Sequence, residues 1–117
     1  MMERLGTEWM VDAAGCRAEI LRDPAALRAL FDRIIAEPNL NPLGDAVWHR
    51  FPNTGGVTGV ALLAESHLTI HTWPETGRAA INLFCCRQRP AWPWEARSLE
   101  LLGATRVTAR EVERRID

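Results

Sequence analysis

The chain contains no lysine: all 14 of its basic residues are arginine. A GC-rich genome alone would produce that bias, but the chemical consequence is the same. No ε-amine is available to form a Schiff base with pyridoxal phosphate, and there is no P-loop lysine. Tyrosine is also absent. Any amine or carbanion chemistry must therefore draw its electron sink from elsewhere. Cysteine is scarce: Cys16, Cys85 and Cys86 are too few for a disulfide framework. Adjacent Cys85 and Cys86 on a strand would point to opposite faces. All three are expected to be thiols in a reducing, cytoplasmic compartment. No apolar run approaches the roughly 20 residues of a membrane span. The opening "MMERLGTEWM" has no signal-peptide apolar region. With a net charge of -1, nothing points to nucleic acid or to an anionic membrane.

What is present suits a soluble globular chain. Apolar residues make up 47% and charged residues 25% of 117 residues. One domain over 1–117 is expected, and pairing into a dimer would bury more of its surface.

The segment 5–16 reads as a first strand. Residues 23–37 predict a helix, with Asp23 at the N-cap and Pro24 at the first helical position. Leu27, Leu30, Phe31, Ile34 and Ile35 give it one apolar stripe. Residues 38–45 form a loop rich in breakers. Strands follow at 46–51, 57–64, 66–73 and 78–86, with a turn at 74–77. The glycine in 57–64 permits close backbone approach. A second helix within 89–103 ends at Gly103, and a last strand covers 104–112. The fold class is α+β: a two-layer sandwich, mostly antiparallel sheet with two helices on one face.

Pairing arithmetic places polar groups across two hairpins. A turn at Ala64–Glu65 makes paired numbers sum to 129, which sets Thr58 opposite His71. A four-residue loop at 74–77 makes them sum to about 151. One of the two cysteines then lies opposite Ser66. A register of 152 gives Cys86; a slip by one gives Cys85. His71 is five residues beyond Ser66, roughly 16 Å along a strand. One chain thus holds two half-sites, Ser66 with Cys86 and Thr58 with His71. A two-fold dimer could bring them together.

The stretch "GVTGVALLAESHLTIHTWPETGRAAINLFCC" resembles the prokaryotic S-adenosylmethionine decarboxylase family. It carries the ESH and LTIHTWPE signatures, then AAI, with a cysteine twenty residues after the serine. "HRF" at 49–51 also fits, with one extra residue in the turn. "PWEA" at 93–96 and "RV" at 106–107 fit more loosely. The resemblance implies a proenzyme that cleaves itself between Glu65 and Ser66, giving chains 1–65 and 66–117. Ser66 becomes a pyruvoyl group by serinolysis, β-elimination and hydrolysis. That group is the cofactor, and it stands in for the missing lysine. By position in the motif, His71 assists processing. Thr58 keeps the hydroxyl that the family usually supplies as serine. Cys86 protonates the substrate carbon after CO₂ leaves. Phe51, Glu65 and Trp73 border the substrate. The implied reaction converts S-adenosylmethionine to its decarboxylated form for polyamine biosynthesis, in a homodimer with shared active sites and no metal.

Outside that context each residue has a plainer reading. Ser66 would be a turn serine, His71 a structural histidine, and Cys85 and Cys16 small core residues. His67 would line the junction, and Trp92 and Trp94 would pack around a proline turn. Three departures bear on the substrate, one of them a trimmed C-terminal region. Ala13 and Ala14 stand where the family carries an aromatic that would stack on adenine, and Asn82 stands where it carries aspartate. A pyruvoyl-dependent ornithine or arginine decarboxylase is therefore the alternative. A non-processing pseudoenzyme or regulatory subunit is a second.

Overall fold

The computed structural model describes residues 3–117. Its elements in chain order are β1 (Glu3–Ala14), α1 (Ala18–Leu21), α2 (Pro24–Ala36), β2 (Val47–Arg50), β3 (Val57–Leu63), β4 (Ser66–Trp73), β5 (Arg78–Cys85), α3 (Trp94–Leu102) and β6 (Arg106–Ile116). The strands form one antiparallel sheet in the order β2-β3-β4-β5-β1-β6.

Alternation along each strand sends one set of side chains to the helices. Trp9, Val11 and Ala13 of β1, Leu68 and Ile70 of β4, and Ile81 and Leu83 of β5 are buried there. They share one core with Leu21 of α1, with Leu27, Leu30, Phe31 and Ile34 of α2, and with Trp94 and Leu102 of α3. The α+β sandwich with its helices on one face is thus observed. The helices number three instead of two among the described residues. The extra one, α1, is a single turn of four residues, too short to show a period.

The start of α2 follows its sequence signals. The Asp23 carboxylate accepts a hydrogen bond from the Ala25 amide at 3.0 Å, and Pro24 opens the helix. Replacing Asp23 with alanine should lower stability by about 1 kcal/mol, read from urea unfolding. No loss of stability would show that the cap is redundant.

Several strand boundaries shift from their expected places, most clearly the ends of β1 and β6. β1 ends at Ala14 because Gly15 turns the chain with φ 66, which leaves Cys16 off the strand. β6 runs to Ile116, beyond the expected 112, because its length is set by pairing along β1. Exposed Arg and Glu dominate it, so no apolar alternation marks its end. Arg110–Asp12 and Arg114–Glu8 pairs, both at 2.9 Å, tie this charged edge strand to β1. In β3, Gly59 leaves room for the Trp48 ring. A Cβ there would lie 2.3 Å from it.

Among the described residues, no helix covers the other face of the sheet. Val60, Leu62 and Trp73 project from it, 43%, 61% and 45% exposed. This face also carries Thr58 and His71.

Candidate active site

The Glu65–Ser66 junction lies in the tight turn between β3 and β4. Leu63 pairs with Ser66, so Ala64 and Glu65 make the turn alone. Glu65 has φ 61, the left-handed region, which a residue with a Cβ enters at a cost of about 1–2 kcal/mol. Several contacts hold it there. The Ala64 amide donates to the Asn41 carbonyl at 2.8 Å. The Cys86 amide donates to the Glu65 carbonyl at 2.9 Å. The Glu65 carboxylate meets Arg87 at 2.6 Å, an exposed pair of small energetic weight.

Ser66 faces the helix side. Its hydroxyl donates to the Phe84 carbonyl at 2.7 Å and lies 3.3 Å from the Cys85 sulfur. The pairing is Ser66 with Cys85, the register that sums to 151. This corrects the register of 152, which set Cys86 on the face of Ser66. The chain leaves the ladder after Cys85, so Cys86 is exposed at the strand end and meets the junction through its backbone amide. Cys85 is a core residue, as read, and is also the direct neighbour of Ser66. Burial raises its thiol above the ordinary value; the hydrogen bond with Ser66 opposes this in part. It is a neutral thiol at neutral pH.

The second cluster sits at the other end of the hairpin, on the open face. Thr58 pairs with His71, and Thr58 Oγ1 lies 3.0 Å from His71 Nδ1. The Trp73 ring is 6.2 Å from that of His71. A cleft of about 350 Å³ is lined by Phe51, Thr58, His71, Trp73 and Glu75, among others. Phe51 is held over it by the turn at 51–56, where its amide donates to the Gly56 carbonyl at 2.7 Å. Phe51 and Trp73 are 47% and 45% exposed, so both rings are free to contact a ligand.

The chain therefore gathers the expected residues into two groups. Glu65, Ser66 and the backbone of Cys86 form one; Thr58, His71, Phe51 and Trp73 form the other. Ser66 and His71 point to opposite faces of β4, about 16 Å apart. Of the plainer readings, His67 stacks on Phe84 with ring centroids 5.6 Å apart, and Trp92 packs edge-on against Trp94. Glu75 was not singled out by the sequence, although it follows Trp73 and Pro74 directly in the motif. The Cys86 amide left no mark in the sequence, since every residue but proline carries one.

The two departures that lie in the sheet have separate settings. Ala13 is turned into the core, 4% exposed. Ala14 lies on the open face, in a cleft of about 510 Å³ with Trp73, Arg78 and Arg106. Asn82 donates to Glu8 at 2.7 Å, and Glu8 also pairs with Arg114. An aspartate at 82 would bring a second carboxylate against Glu8; asparagine supplies a donor instead.

Comparison with known proteins gives a consistent result. The family model described as S-adenosylmethionine decarboxylase matches residues 7–115. A protein of Caldicellulosiruptor saccharolyticus named S-adenosylmethionine decarboxylase proenzyme is 38% identical over 118 residues, covering 97% of this chain and 90% of its own. One of the same name from Clostridium tetani is 38% identical over 120 residues, covering 98% and 90%. The crystal structure of the adenosylmethionine decarboxylase from Aquifex aeolicus superposes with a TM-score of 0.78 at 28% identity, covering 98% of this chain and 94% of that one.

Proposed function

The chain belongs to the S-adenosylmethionine decarboxylase family, and from that premise we propose that it is a proenzyme which cleaves itself before Ser66 and then decarboxylates S-adenosylmethionine. The observation that carries this reading is the junction. A strained Glu65 has its carbonyl held by the Cys86 amide, directly before a half-buried serine.

The residues divide the work as follows. Ser66 Oγ attacks the Glu65 carbonyl carbon. The C–N bond between the two residues breaks, the nitrogen takes up a proton, and an ester remains. The Cys86 amide donates to the oxygen as it gains negative charge. Leaving the left-handed conformation at Glu65 relieves strain, which favours the cleaved form. Loss of the Ser66 α-proton then expels the Glu65 carboxylate from Cβ. His71, oriented by Thr58, is the general base. Water displaces the nitrogen as ammonia, leaving a pyruvoyl cap on chain 66–117. That group supplies the electron sink for decarboxylation, so no lysine is required. The Cys86 thiol, exposed at the same end, donates a proton to the substrate carbon once CO₂ has left.

His71 serves the serine of a second copy in this reading. The open face, with its exposed Val60, Leu62 and Trp73, supports a dimer, and a chain this small gains from covering it. Phe51 and Trp73 supply ring faces for the substrate. Glu75 supplies a carboxylate for its hydroxyls or its positive charge. Among the described residues no helix is long and apolar enough to cross a membrane. Three free thiols suit a reducing cytoplasm.

The test is release of labelled CO₂ from carboxyl-labelled S-adenosylmethionine, ornithine and arginine, assayed side by side. Release from S-adenosylmethionine alone is expected. Release only from ornithine or arginine would transfer the chain to that substrate class. Release from none, with an uncut chain, would make it a pseudoenzyme.

A further inference from the structure

We propose that Arg4 is a positioning residue for self-cleavage, because it fixes the main chain of Cys86, the residue whose amide polarises the scissile carbonyl. The inference rests on cleavage before Ser66 as proposed above. The main chain of Cys86 is held at both of its polar groups. Its N–H donates to the Glu65 carbonyl at 2.9 Å, and its C=O accepts from Arg4 Nη1 at 3.0 Å. The remaining nitrogens anchor the guanidinium. Nη2 donates to Thr7 Oγ1 at 2.8 Å, and Nε lies 3.4 Å from the Glu113 carboxylate.

The fold makes a specific provision for this reach. Arg4 pairs with Arg115 and Gly6 with Arg114, so Leu5 is an extra residue, a bulge in β1. Arg4 and Gly6 thereby occupy consecutive rungs and face opposite ways. Without the bulge Arg4 would share the open face with Glu8; with it, Arg4 shares the face of Thr7 and Cys85. Gly6 adds the second provision. A Cβ there would lie 2.4 Å from the Cys85 carbonyl, so only glycine lets β1 approach the end of β5 this closely.

Cys86 lies beyond the last pair of the β4–β5 ladder, which is Ser66 with Cys85. The Arg4 contact therefore replaces the missing ladder bond for the Cys86 carbonyl. A guanidinium donor forms a shorter and stronger hydrogen bond than a neutral one. Its fork lets one side chain grip Cys86 and Thr7 together. Losing it frees the main chain at Cys86 to turn about its own φ and ψ, and the amide no longer stays aligned on the Glu65 oxygen as charge develops.

The experiment follows newly synthesised precursor by mass spectrometry under denaturing conditions and times the appearance of chains 1–65 and 66–117. Arg4→Ala is expected to split about tenfold or more slowly than wild type. Added ethylguanidinium should restore several-fold of the rate, which a packing defect would not allow. Arg4→Lys should fall between the two, having a cation but no fork. Thr7→Val, which removes only the anchor, should slow cleavage a few-fold and keeps the test open if Arg4→Ala does not fold. A wild-type rate in these variants, or a slow rate that neither lysine nor guanidinium raises, would overturn the proposal. Wild-type precursor is timed in parallel. Its failure to split would count against cleavage itself and not against Arg4.

Discussion

Replacing Ser66 with alanine is expected to leave one uncut chain of 117 residues and to lower decarboxylation at least a thousandfold, to about the detection limit. The change removes a single oxygen. That oxygen is the nucleophile for cleavage, and the bond it attacks is the one that must break to create the electron sink. No neighbouring side chain can substitute. The neighbouring His67 points to the opposite face, and the Cys85 thiol is neutral and lies across the ladder. The β4 strand itself should survive, because alanine fills the same half-buried position and frees only the Phe84 carbonyl and the Cys85 thiol. Circular dichroism and melting temperature should therefore stay close to those of the wild type. Intact mass is the decisive readout. A Ser66→Ala chain that still splits after residue 65 would remove Ser66 from the chemistry. Cys86→Ala gives the contrasting case: two fragments as in wild type, with decarboxylation impaired.

Much of this site was legible because β-hairpins impose integer arithmetic. The turn at Ala64–Glu65 holds two residues, so Thr58 opposite His71 followed from counting. The second hairpin has a longer turn, and counting alone left two registers open. The structure selects the one that buries Cys85 and exposes Cys86. Burial of Ile70, Leu68, Ile81 and Leu83 on one face fixes that choice, since a slip by one would turn one strand's apolar set to the other face. The helices were legible from caps and periodicity, except α1, which is shorter than one period of the pattern. β6 was underestimated because an edge strand rich in charge has no apolar alternation, and its length comes from pairing with β1 at the far end of the sequence. Backbone donors and the bulge at Leu5 were invisible for a different reason. They depend on where the main chain goes, and residue type records that only weakly.

Co-expression of His71→Ala with Cys86→Ala should restore activity that neither variant shows alone. Within one chain His71 and Ser66 lie about 16 Å apart on opposite faces of β4, too far for any proton transfer between them. A rotation of side chains cannot close that gap, because both residues sit in a ladder whose ends are pinned by β3 and β5. A second copy related by a two-fold axis can, since it would present its Thr58–His71 end to the Ser66 end of the first. In a mixed dimer one site then collects both lesions and the other collects none. Random pairing makes about half of the dimers mixed, each with one intact site, so recovery should approach about a quarter of wild-type activity. Fragments should come from about half of the chains, because Cys86→Ala homodimers are cut as well and each mixed dimer cuts one of its two chains. That pattern is the sharper readout. A site contained in one chain predicts that the Cys86→Ala chain is cut and the His71→Ala chain is not. A shared site predicts that mixed dimers cut the His71→Ala chain, using the histidine of the other subunit. Failure of the His71→Ala chain to split in the mixture would confine the site to a single protomer and require Ser66 to find another base.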